Sequence, residues 1–172
     1  MKKVLLLFAV ILTVFIAGCE KQNNAARSSQ HIPNAFTAKA EITFRDSFMT
    51  AQITRNEKGE LTTKMLSPDA LSPLEIVWSN GVCSATYDGI SFVADQSRFP
   101  QAEFANIVAQ TLDYVQANID LKKTVSDGVT SYQGSTQSGV FIINQDSQSG
   151  AWLDLSVEGA QLHIVFKEFN VQ

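Results

Sequence analysis

A chain of 172 residues suits one domain, large enough to bury a core without disulfide or metal staples. Its 13 Lys and Arg stand against 17 Asp and Glu, a net charge of −4, which argues against nucleic acid or an anionic headgroup layer as the main partner, since both reward clustered basic side chains. Two cysteines and two histidines are too few donors for an ordinary structural metal site, so no metal or other cofactor is expected.

Met1-Lys2-Lys3 leads an apolar run from Val4 to Ala17, and the sequence turns polar directly after Cys19. That is the layout of a secretory signal, whereas a helix crossing a bilayer needs roughly 20 apolar residues. Ile16-Ala17-Gly18-Cys19 resembles the lipobox of bacterial lipoprotein precursors. The resemblance implies that residues 1–18 are cleaved and that Cys19 becomes the first mature residue, its thiol joined to a diacylglycerol. The protein is then held on the extracytoplasmic face of a bacterial membrane, with the outer membrane possible in a Gram-negative cell. Each buried lipid CH₂ contributes ~0.8 kcal/mol, and two chains suffice for stable attachment. Lys2 and Lys3 leave with the signal, so the net charge falls from −4 to −6. Cys83 is then the one free thiol; it reads as a small apolar filler in a strand, with a reactive or dimerising role as the alternative.

Residues 19–34, with "EKQNNAARSSQHIPN" after the cysteine, hold few apolar side chains and read as a flexible tether in which His31 is solvated. From residue 35 onward a single domain is expected. Phe36, Ala38, Ala40, Ile42 and Phe44 alternate with Thr37, Lys39, Glu41 and Thr43, the period of a half-buried strand. Arg45-Asp46 reads as a short turn, Met49, Ala51 and Ile53 as a second strand, and 56–59 as a hairpin loop ending at Gly59 before Leu61–Leu66. Pro68 and Pro73 force a surface loop. Asn80-Gly81 and Asp88-Gly89 divide the next segment into three strands. Phe104, Ile107, Val108, Leu112 and Val115 then recur at helical spacing, which predicts a helix over 101–118. Glycine-rich runs at 133–139 and 144–150 predict polar loops between further strands at 140–143, 152–157 and 161–169. About ten antiparallel strands interrupted by one helix predict an α+β domain, the helix covering the apolar face of the sheet.

The common catalytic fingerprints, including G-x-S-x-G, G-x-G-x-x-G, the P-loop and H-E-x-x-H, are absent from the sequence. His163 falls on the alternation face of Gln161 and Lys167 and reads as solvent-facing. Asp88, Asp127 and Asp146 are explained by turn chemistry. The expectation is a protein that is not an enzyme.

Two long alternating strands, a hairpin, a proline-containing loop leading into "LEIVWSNGVCSATYDGISFVAD", an amphipathic helix and a strand-rich second half resemble the lipoprotein-localisation carrier and receptor fold (LolA/LolB-like). The resemblance implies a strongly curved antiparallel sheet, an incomplete barrel, around an apolar cavity for acyl chains. Two departures stand beside it: one clear helix in place of several lid pieces, and no evident counterpart to the arginine that controls lid closure. It also implies that Leu71, between Pro68 and Pro73, stands where the receptor branch exposes an apolar loop residue; the alternative is a residue that staples the loop to the core. Two functions remain open. In one, Phe36, Ile42, Phe44, Met49, Ile53, Met65, Trp78 and Phe92, with Phe104, Ile107 and Leu112 from the helix, enclose an apolar ligand such as a lipid or lipoprotein acyl chain. In the other, the same residues form a filled core and the domain serves an envelope protein assembly through an exposed patch or edge, with the loops at 133–139 and 144–150 as its candidate surface.

Overall fold

The computed structural model describes residues 32–95, 99–117 and 121–172. Residues 1–18, Cys19 and the tether through His31 lie outside the described residues. The strands are β1 (Phe36–Phe44), β2 (Ser47–Arg55), β3 (Leu61–Ser67), β4 (Leu74–Ser79), β5 (Val82–Tyr87) and β6 (Ile90–Val93) before the helix α1 (Pro100–Ala117). After it come β7 (Lys122–Ser126), β8 (Val129–Thr136), β9 (Gly139–Asp146), β10 (Trp152–Val157) and β11 (Leu162–Val171). All eleven join one antiparallel sheet in the order β6-β5-β4-β3-β2-β1-β11-β10-β9-β8-β7. Two meanders are thus joined where β1 lies beside β11.

The position of α1 requires the sheet to curl. The helix packs against β3, β4 and β5 and also against β8. β4 and β8 are seven positions apart in the strand order. In a flat sheet they would be about 34 Å apart, three times the width of a helix. The sheet therefore wraps α1 and buries its concave face on it, while among the described residues β6 and β7 stay as open edges.

The expected alternation is realised along β1, whose Phe36, Ala38, Ala40, Ile42 and Phe44 are buried while Lys39, Glu41 and Thr43 are exposed. The hairpin dipeptides form as their residues dictate: Asn80 and Gly81 take φ of 51° and 79°, and Asp88 and Gly89 take 47° and 81°, the left-handed pair of a type I′ turn. Ile32 packs against the core, Pro33 is buried, and Asn34 Nδ2 donates to the Glu57 carbonyl at 3.0 Å. The last three residues assigned to the tether thus lie on the domain. Leu71, in a single 3-10 turn (Asp69–Leu71), is half-buried against the core, as a staple would be.

The glycine-rich runs differ from expectation. Residues 133–136 belong to β8 and 144–146 to β9, which leaves a tight turn at 137–138 and a short one at 147–150. Gly134 pairs with Phe141, and a Cβ on Gly134 would lie 2.6 Å from Phe141 Cζ and 3.0 Å from Tyr114 Cε1. The glycine makes room for an aromatic ring, not for a turn. At the end of β9 the Asp146 carboxylate accepts the Ser149 N–H (2.6 Å), the Ser149 hydroxyl and the Gln148 N–H, which hold its titration below the usual carboxylate range. The polar surface assigned to these loops is correspondingly small.

Candidate functional site: an open apolar groove

Of the eleven residues expected to line an apolar interior, ten are buried in one continuous cluster. These are Phe36, Ile42, Phe44, Met49, Ile53, Met65, Trp78, Phe104, Ile107 and Leu112. Phe36, Ile42, Ile53 and Phe104 expose no surface at all. A void that admitted even one water beside them would leave accessible area on their side chains, so around these four the interior is closed.

Phe92 stands apart at 42% exposure. Its strand parity still places it on the concave face: Phe92 pairs with buried Ala85, and Ile90 pairs with Tyr87, which pairs in turn with buried Leu74. What differs is cover. The packing of α1 runs over β3, β4 and β5, and all four residues of β6 are exposed. The concave face therefore continues past the helix as an open groove of about 310 Å³, lined by Leu74, Tyr87, Ile90, Phe92 and Phe99. Its floor, Leu74, belongs to the core, and its wall is the edge-on pair Phe92–Phe99, with ring centroids 6.0 Å apart. The volume is at the lower end of the range for small-molecule sites. Among the described residues, no charged group lines the groove.

Two arginines hold the helix on the sheet. Arg45, at a φ of 54° in the β1–β2 turn, donates through Nη2 to both carboxylate oxygens of Glu103 (2.7 and 2.9 Å) and sits 4.8 Å over the Phe44 ring. Arg55, at the end of β2 and 3% exposed, donates through Nη2 to Asp113 Oδ1 at 2.6 Å. Its Nη1 has no hydrogen-bond partner among the described residues. The alternation Met49, Ala51, Ile53 leads directly to Arg55, so the signal for a buried arginine was present in the spacing.

A larger depression, about 580 Å³, lies between the N-terminal half of α1 and the turns at 137–138 and 158–161. Its lining includes Asn106, Gln110, Gln137 and the already paired Arg45 and Glu103, a surface unsuited to an apolar ligand. His163 is exposed on the convex face, where Nδ1 lies 2.9 Å from the Ser156 hydroxyl. Cys83 is buried in β5, and burial pushes its thiol up from the ordinary value. In the folded protein at pH 7, Cys83 is expected to resist a thiol reagent that modifies it fully in denaturant; mass spectrometry of the labelled chain checks this.

No family model matches the sequence. No curated protein matches it either. Among solved structures, the fold is similar to that of an uncharacterised conserved protein from Thermus thermophilus, at 10% identity over 90% of this chain and 88% of that one, with a TM-score of 0.51. That likeness shows a shared fold. A LolA superfamily protein from Nitrosomonas europaea is a weaker neighbour, at 9% identity over 84% of this chain and 90% of that one, with a TM-score of 0.45.

Proposed function

We propose that this protein is a non-enzymatic binding module, anchored through lipid on Cys19 to the extracytoplasmic face of a bacterial membrane, that takes an apolar ligand such as an acyl chain. The observation that carries the reading is the uncovered end of the concave face, where Tyr87, Ile90, Phe92 and Phe99 surround a groove floored by the core residue Leu74. An exposed apolar concavity without charge recognises hydrocarbon and little else. The arginine pairs at Glu103 and Asp113 make α1 the cover of the adjoining interior.

The test is photolabelling of the full-length protein in its membrane with a palmitate analogue carrying a terminal diazirine. Adducts are expected to concentrate on Tyr87, Ile90, Phe92 and Phe99, and Phe92→Asp is expected to cut their yield about tenfold, since burying a phenylalanine contributes about 1.5–3 kcal/mol. Labelling spread evenly over the surface would sink the assignment. The closed packing around Phe36, Ile42, Ile53 and Phe104 favours a second reading, an envelope interaction module with a filled core. Crosslinking in membranes that recovers one recurrent partner supports it, and failure to enrich any counts against it.

A further inference from the structure

The walls of the polar depression between α1 and the turns at 137–138 and 158–161 are fixed to one another. The Arg45 N–H donates to the Gln161 carbonyl at 2.9 Å, which ties the β1–β2 turn to the one before β11. The turns at 158–161 and 137–138 meet backbone to backbone: a Cβ on Gly159 would lie 2.6 Å from the Ser138 carbonyl oxygen, so glycine is needed there. The Arg45–Glu103 pair fastens α1 to the same frame. About 580 Å³, within the ordinary range for small-molecule sites, thus lies between segments that are bonded to each other.

Charge and hydrogen bonding select what such a space can hold. Among the described residues its lining carries one cation, Arg45, against two carboxylates, Glu103 and Glu158, and Arg45 Nη2 is already committed to both oxygens of Glu103. Phosphate, sulfate and carboxylate ligands are therefore disfavoured. Apolar side chains are limited to Ile107 and Ala160, too little to cover hydrocarbon. What remains is mostly carboxamide. Gln110 Nε2 donates to Asn106 Oδ1 at 2.8 Å, one helical turn away, which leaves Gln110 Oε1 as an acceptor. Among the described residues the side chains of Gln137, Glu158 and Gln161 have no partner. A carboxamide offers two N–H donors and a carbonyl acceptor, so a set of them suits a neutral ligand whose groups each donate and accept. Sugar hydroxyls do both. We infer that this depression is a binding site for a sugar unit of a neutral glycan. Its vicinal hydroxyls bridge the carboxamides of α1 to those of the two turns, and the remaining N–H groups of Arg45 donate to it without adding net charge.

The depression shares no residue with the apolar groove, so the inference does not depend on the acyl-chain reading. The experiment uses the full-length protein in phosphatidylcholine nanodiscs, titrated with cellotriose and with chitotriose and followed by saturation-transfer difference NMR against empty nanodiscs. Saturable binding of at least one trisaccharide is expected. Gln110→Leu and Gln137→Leu, which keep side-chain bulk and remove the amide, are each expected to weaken it about fivefold, the equivalent of one ordinary hydrogen bond. Both positions reach the surface, and circular dichroism is expected to show both variants folded. Glu75→Gln, an exposed change on β4, is expected to leave binding unchanged. Spermidine and triglycine are the comparison probes, and neither is expected to saturate. No saturable binding of either trisaccharide, or equal binding by wild type and both leucine variants, would overturn the proposal. Saturable binding of spermidine or triglycine in place of the trisaccharides would overturn it in favour of a cation or a peptide.

Discussion

Phe104→Ala is expected to destabilise the fold by about 3–5 kcal/mol, the largest loss of any single truncation on α1. Phe104 exposes no surface, it stands 6.5 Å from the Phe44 ring, and it lies on α1, which touches both meanders. The cost combines lost transfer free energy with a void that neither the curled sheet nor the helix can collapse into. Against a total stability of about 5–15 kcal/mol this is a large fraction. Urea unfolding followed by circular dichroism measures it. Phe92→Ala is the matched control: at 42% exposure it is expected to cost less than about 1 kcal/mol. Near-equal losses at the two positions would show that the groove is part of the core, and the proposed ligand site would go with it.

Asp113→Ala is expected to cost about 2 kcal/mol, while Arg55→Met on the other side of the same ion pair is expected to cost less than about 1 kcal/mol. The asymmetry follows from burial. The Arg55 side chain is 4% exposed and that of Asp113 is 57% exposed. Removing the aspartate leaves a buried guanidinium whose Nη1 already lacks a partner among the described residues. The full cost of an orphaned buried charge is about 3–5 kcal/mol, moderated here because water reaches the vacated Asp113 site. Removing the arginine deletes the charge, fills its place with a stem of similar shape and leaves Asp113 hydrated. The double variant is therefore expected to resemble Arg55→Met alone, so that the second substitution rescues the first. Equal and additive losses in paired urea melts would refute this account of the clamp.

What the sequence made legible was local. The period of two from Phe36 to Phe44 and the dipeptides Asn80-Gly81 and Asp88-Gly89 depend on neighbouring residues, and the structure realises them. Gly134 shows the limit: a glycine in a polar run signals a turn, yet its cause is the ring of Phe141 seven residues on and Tyr114 on the helix. Arg55 lies on the inner parity of β2, but only the arrival of Asp113 from α1 makes a buried charge tenable there. Phe92 is on the concave face as its alternation implies; that the groove stands open depends on how far α1 reaches across the sheet, which no local pattern encodes. β7 carries no such pattern of its own: "KKTVS" has no buried residue and owes its strand to pairing with β8.

The seam between β1 and β11 bears on how the protein comes to be folded. Nine of the ten strand pairings join consecutive strands, and the tenth joins Phe36 to Val171. Hairpins of the first kind form early and cheaply; the seam waits for nearly the whole chain. Until Leu162–Val171 arrives, β1 offers an unpaired backbone edge beside Phe36, Ile42 and Phe44, three large apolar side chains that end up buried. A chain made N-terminus first thus spends its synthesis with one edge of β1 unpaired, and the rate at which the last strand docks sets how long that edge must be kept from its neighbours.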